Sequence, residues 1–243
     1  MTVEELTSTQ SDAVLVRRAG LVCLWGGLLG AASGIALAVV PPAVEPDVYG
    51  YPLGPTAFTL IQSFFFVQHL ALVLGLLALW RSGALGKTRL GPWGTVTAVV
   101  GMTLLALTEL AAIPAANAPY PSPHTDILDT IYGVASMVIG IGLVLTGIAV
   151  LRAGLWQGWQ RFLPLLLGVY VFVPMTPAIF GPFVLARLAI SGWMLLFALL
   201  GWELARRRSH RAEQPAAVPG ARLQRDRQRT ELANSSSVIP ADR

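Results

Sequence analysis

Charge is what this sequence has least of. Asp, Glu, Lys and Arg together make up 12% of its 243 residues, where an ordinary soluble domain carries about 25%. A soluble surface cannot be covered on that allowance. Cysteine is nearly absent as well: the single Cys23 excludes an intramolecular disulfide and any CxxC redox or zinc motif. Set in an apolar run, it reads as a small hydrophobe. Histidine is scarce, with three in the chain and only His69 inside an apolar run, which excludes a paired-histidine haem site. Phosphate loops and dinucleotide fingerprints are missing too, so the sequence implies no cofactor.

What is present is apolar length. Hydrophobic residues make up 54% of the chain, and the mean hydropathy is +0.63. A membrane-crossing helix needs about 20 such residues, and six runs qualify. They lie at about Leu21–Val40, Thr56–Trp80, Trp93–Ile113, Ile127–Leu151, Phe162–Val173 with a weak extension to Ile179, and Phe183–Trp202. The fifth is broken by Pro164, Pro174 and Pro177 and followed by Pro182. It reads as a crossing, with a kinked or re-entrant element as the alternative. Glu4, Glu5 and Asp12, ahead of a first run too long for a signal h-region, argue against a cleaved signal peptide.

The basic residues orient the chain. A pI of about 9.7 would suit nucleic-acid binding, but every Arg except Arg187 lies outside the spans, which marks topology instead. Nucleic acid is therefore not an expected partner. Arg17 and Arg18 precede the first span, Arg81, Lys87 and Arg89 follow the second, and Arg152 and Arg161 follow the fourth. Arg206 opens a run of Arg that continues to Arg243. The other three loops hold no Lys or Arg. Short loops rich in Lys and Arg stay in the cytoplasm. The expected fold is thus an all-α, polytopic six-transmembrane-helix bundle with both termini inside. Its parts are a cytoplasmic segment over 1–19, a helical domain over 20–205, and a disordered basic tail over 206–243 that can touch anionic lipid. The composition points to the bacterial cytoplasmic membrane.

Small residues mark helix contacts. Gly26, Gly30 and Gly34 share one face of the first span, and Ser136 and Gly140 share one on the fourth. Such stripes let backbones approach closely, either inside the bundle or across a homo-oligomer seam.

Ionisable residues inside spans are costly, at about 2.5–3.5 kcal/mol or more at the bilayer centre. Glu109, Arg187, Asp129 and His69 qualify, together with Gln62. Counting helical rise from the outer ends puts Glu109 and Arg187 both roughly 6 Å deep and Gln62 roughly 9 Å. Arg187 is the one basic residue on the outer side, so Glu109 and Asp129 are its available partners. A buried ion pair, a wet vestibule, and a substrate, ion or proton site all fit. His69 lies roughly 10 Å deeper than Gln62 and is not expected to join that level. Gln62 and His69 share a face, so a polar stripe running to mid-membrane, extended by Tyr170 or Thr103, is a second expectation. His124, Asp126 and Asp129 line the outer start of the fourth span. They read as a helix-start acidic group or as a head-group site, and no metal site is assigned.

Nucleophilic chemistry finds no support. Gly30-Ala31-Ala32-Ser33-Gly34 has Ala31 where the rhomboid-protease motif has its first glycine, and the one His inside a span lies on the second span, not on a late one. The tryptophans Trp80, Trp93, Trp156, Trp159 and Trp202 fall near one interface, with Trp25 and Trp193 as exceptions. Gly158-Trp159-Gln160-Arg161-Phe162-x-Pro164-Leu165-Leu166-x-Gly168, with Gly192-Trp193 on the last span, resembles a group of uncharacterised bacterial multi-span membrane proteins. The resemblance covers the last two spans and implies no activity. A structural, accessory or sensing component is the leading expectation. A small-solute or proton-coupled transporter and a lipid head-group enzyme are the alternatives.

Overall fold

The computed structural model describes the chain from Val3 to Glu213, with side chains from Asp12 to Arg206. Of the tail expected to be disordered over 206–243, residues 206–213 continue the last helix, and the rest lies outside the described residues. The fold is all-helical, with no strand among the described residues. It consists of α1 (Val3–Val39), α2 (Pro55–Arg81), α3 (Leu90–Ala112), α4 (Pro123–Ala153), α5 (Leu163–Tyr170), α6 (Thr176–Ile179) and α7 (Phe183–Glu213). Six stretches are long and apolar enough to cross a membrane: Asp12–Val39, Pro55–Arg81, Leu90–Ala115, Pro123–Ala153, Trp159–Ile179 and Phe183–Arg206. This is a multi-pass membrane protein. α1 begins well before Gly20, so the N-terminal segment continues the first span as helix, and Val16 is already buried in the core.

Helix ends follow local chemistry. Pro55 starts α2 in the first turn, where its missing N–H costs nothing. Ser122 caps α4 by a reciprocal box: its hydroxyl accepts from the Thr125 N–H, and the Thr125 hydroxyl accepts from the Ser122 N–H at 2.9 Å. Gly154 closes α4 in the left-handed region, φ 64°, and donates its N–H to the Val150 carbonyl.

The proline-rich fifth span runs as one helical stretch over Trp159–Ile179, long and apolar enough to cross. A tight turn at Trp159–Phe162 leads into α5, and a wide π turn at Val171–Met175 joins α5 to α6. Pro174 supplies no N–H to the ladder, so the helix widens there. The Thr176 hydroxyl then donates to the Val171 carbonyl at 2.6 Å, which satisfies a backbone group that lipid could not.

Glycine sets the packing. Gly94 and Gly101 on α3 lie against the α4 backbone, and Gly142 on α4 lies against Ala98 and Gly94. Gly147 and Gly168 seat α5 on α4, while Gly20 and Gly27 seat α1 on α7. The stripe of Gly26, Gly30 and Gly34 is filled by the chain's own helices: Ala71 of α2 faces Gly26, Gln68 and Met194 face Gly30, and Ser191 of α7 faces Gly34. Gly140 lies under the Phe172 ring, with Ser136 half-buried one turn before it. The core at this closeness is apolar, built from Leu72, Leu76, Met102, Ile139, Leu143, Leu167 and Phe197. The outward faces are apolar as well, as at Val100, Leu107, Ile141 and Val173. Helices apolar on every side belong in lipid.

Candidate functional site

The two ends of the bundle differ. One, the basic end, carries Arg81, Lys87, Arg89, Arg152 and Arg161. The other is closed by two loops that bond to each other. Val48 and Pro119 form an isolated antiparallel bridge. Tyr49 N–H donates to Ala118 O at 3.0 Å, Gly50 N–H to Ala116 O at 3.1 Å, and Tyr120 N–H to Asp47 O at 2.7 Å. Aromatic rings fill the cap: Tyr49 stacks against Phe58 and Tyr120, and Tyr51 meets Phe183 edge-on.

Asp129 sits directly beneath this cap. Its carboxylate accepts from the Tyr120 hydroxyl at 3.1 Å and from the Tyr49 hydroxyl at 3.4 Å. Both phenols are held above their ordinary range, first by burial and then by the neighbouring Asp129 charge. They therefore stay protonated and able to donate. Asp129 itself is solvent-exposed, as are His124 and Asp126.

Deeper in the bundle, Glu109 is 6% exposed and stands at the centre of the interior polar groups. The Tyr132 hydroxyl of α4 donates to Glu109 Oε2 at 2.8 Å. Gln62 Nε2 donates to the Tyr132 oxygen at 3.1 Å and to the Glu109 backbone carbonyl at 3.4 Å. That carbonyl is free because α3 tightens ahead of Pro114, and the Ile113 N–H turns to Leu110 O instead.

His69 overturns one expectation. Its Nδ1 stands 3.6 Å from Glu109 Oε1, so it joins the cluster despite its depth along α2. The reason is side-chain lean. Cβ bonds tilt toward the N-terminus of their helix, and α2 and α3 run antiparallel. His69 therefore leans toward the capped end while Glu109 leans inward, and the two converge.

Arg187 makes no ion pair within 4 Å among the described residues. Its guanidinium lies over the Phe183 ring, 4.9 Å from the centroid. It still lies in the field of Glu109, Tyr132 and Tyr49. Of the alternatives left open for Arg187, the direct ion pair gives way to a longer-range countercharge. The five candidate residues divide into two tiers: Gln62, His69 and Glu109, with Arg187 nearby, in the lower one, and Asp129 in the upper. The polar stripe does not extend as expected. Thr103 donates back to its own helix at Val99 O, and Tyr170 lies against Gly192 of α7.

Sequence reasoning passed over Tyr49, Tyr120 and Tyr132. Tyrosine is so common near interfaces that only its proximity to carboxylates gives it meaning. It also stopped the sixth span at Trp202, one residue before Glu203. Glu203 is 3% exposed and accepts from Arg206 at 3.0 Å, an i, i+3 pair that anchors α7 at the basic end. Trp156, expected at the interface, is buried there.

These features define a class: a polytopic helical membrane protein with a carboxylate-centred polar cluster under a tyrosine-bearing cap. No protein family, curated protein or solved structure matches the chain.

Proposed function

We propose that this chain is a non-enzymatic sensing component of the bacterial cytoplasmic membrane, with its basic end and both termini in the cytoplasm. The observation that carries the reading is where the polar groups stop. They run from Asp129 at the capped end through Tyr132 and Glu109 to His69. Beyond His69, α2 presents Leu72, Leu76 and Leu79, and α3 presents Met102 and Ala98, all buried. Nearer the basic end the buried polar groups bond locally: Thr95 and Thr146 donate to their own helices at Gly91 O and Gly142 O, and Glu203 accepts from Arg206 on the same helix. A transporter needs stations across the whole membrane, whereas a sensor needs only one side. Two grooves, of about 330 Å³ and 380 Å³, are lined by α1 and α2 residues, and neither is lined by Glu109, His69 or Arg187. The head-group reading is weakened at Asp129, whose two oxygens are engaged by tyrosines.

Two measurements test this. Proteoliposomes holding the full chain should show no proton or solute flux above empty liposomes. A flux abolished by Glu109→Gln in a protein that still inserts would replace sensing with transport. A reporter fused after Arg208 should be active in the cytoplasm, because every short loop at that end holds Lys or Arg. A periplasmic result would overturn the orientation.

A further inference from the structure

We propose that Glu109 and His69 form one proton-binding site, holding a single exchangeable proton that enters and leaves only at the capped end. Its use as a signal rests on the sensing reading above, but the site itself stands on geometry.

Two buried proton-binding groups face each other. His69 Nδ1 has no hydrogen-bond partner, and Glu109 Oε1 is 3.6 Å away, with side chains 6% and 8% exposed. An unpartnered buried polar atom costs about 1–3 kcal/mol, and native proteins keep few of them. The separation is slightly beyond hydrogen-bond length. It is too short for an intervening water and short enough to close with a small side-chain movement. The neutral imidazole carries one N–H, and with it on Nδ1 a small movement makes a charge-assisted bond to the ionised carboxylate. An added proton leaves either a neutral carboxyl facing the ring or an imidazolium facing the carboxylate. The two occupancies differ by one charge at a contact 3.6 Å long.

Charge limits the site to one proton. Every element packed around it contributes identifiable groups: Gln62 from α2, Tyr132 and Asp129 from α4, Arg187 from α7, and Tyr49 from the cap. α1, α5 and α6 place no carboxylate or basic side chain there. With Arg187 positive, Glu109 ionised and His69 neutral, the lower tier carries no net charge. One proton brings it to +1. A second would bring it to +2 in a setting where a single charge already costs kilocalories. The proton belongs to the pair, and its titration is a property of both residues together.

Access is one-sided. Asp129 is exposed at the capped end and bonded to Tyr49, and Tyr49 lies in the field of both Asp129 and Glu109. Tyr132, three residues beyond Asp129 on α4, reaches Glu109 Oε2. On the other side of His69 the apolar layer of Leu72, Leu76 and Met102 offers no hydroxyl, amide or carboxylate. The proton comes from water at the cap and returns there, and no covalent bond between heavy atoms changes.

The test is infrared difference spectroscopy on the full chain in uniformly oriented liposomes, with impermeant buffers setting the pH of each side separately. Acidifying the capped side should produce either a carboxyl C=O band absent in Glu109→Gln or an imidazolium ring band absent in His69→Gln. Either variant should move or abolish the remaining transition. Tyr132→Phe keeps the carboxylate and removes its donor. It should shift the midpoint by about one pH unit, a tenfold change in proton affinity, and it serves if Glu109→Gln does not insert. Neither band between about pH 4 and pH 9, or a band following the pH of the basic side, would overturn the proposal. A reporter placing the basic end outside the cytoplasm would instead overturn the orientation and leave the site standing.

Discussion

Replacing Glu109 with leucine should lower the stability of the folded bundle by about 3–5 kcal/mol, the range for removing one member of a buried charge network. Three losses combine. The Tyr132 hydroxyl loses its 2.8 Å acceptor, His69 loses its acidic neighbour at 3.6 Å, and the Arg187 charge loses the carboxylate in its field. Glu109→Gln should cost less, because an amide oxygen still accepts from Tyr132. The double change Glu109→Gln with Arg187→Gln should recover part of that cost, because it removes both the charge and its countercharge. The measurement is unfolding in mixed detergent micelles, read by helix content and supported by the amount of protein inserted in cells. Wild-type stability in Glu109→Leu would mean that the cluster is solvated and that its hydrogen bonds hold nothing together.

The second large effect is steric. A Cβ at Gly142 would meet the Ala98 backbone nitrogen, with Gly94 O at 2.7 Å and Ala98 Cα at 2.8 Å. These are backbone atoms and cannot swing aside. Gly142→Ala should therefore cost about 1–3 kcal/mol by overpacking, and Gly142→Leu should separate α3 from α4 and prevent accumulation of folded protein. Gly133, on the same helix, is the control. Nothing lies within 4 Å of a Cβ there. Gly133→Ala should be neutral, or stabilising by up to about 1 kcal/mol through helix propensity. Equal behaviour of the two alanine variants in the same micelle assay would refute the packing assignment.

The six crossings were legible because length and apolarity in lipid leave the backbone no alternative to helix. Five of the spans were found within about four residues of the observed stretches, counting the weak extension of the fifth, while the first begins at Asp12 and not at Leu21. Even the fifth was recognisable, although its solution was not: a wide turn at Pro174, repaired by the Thr176 hydroxyl, depends on a hydroxyl two residues away that no apolarity count registers. The candidate site was half legible. Glu109 and Gln62 meet as their depths imply. His69 was misplaced because depth was counted on backbone positions, while antiparallel helices lean their side chains toward each other. Arg187 was singled out as the odd charge, and of the ion pair, wet vestibule and binding site left open for it, a direct pair within 4 Å is not formed among the described residues. Glu203 escaped because the span was ended at an interfacial tryptophan. Tyr132 could have been found by asking which hydroxyl faces Glu109 from the next helix, a question sequence spacing poses but does not answer.

The close seating of α1 on α7 has a consequence for how the protein is made. Gly20, Gly27 and Gly34 of the first helix await Gly201, Ala198 and Ser191 of the last, and nothing synthesised in between can substitute for that face. At ordinary ribosomal speed the delay between Glu109 and Arg187 is on the order of ten seconds. During that interval the carboxylate resides in a partly assembled bundle without its countercharge, and the first helix keeps a bare glycine groove open to lipid or to the insertion machinery. The bundle is therefore completed as a ring is closed, by its final member. Until then the five-helix chain lacks both the α7 backbone that faces Gly20, Gly27 and Gly34 and the positive charge in whose field Glu109 lies.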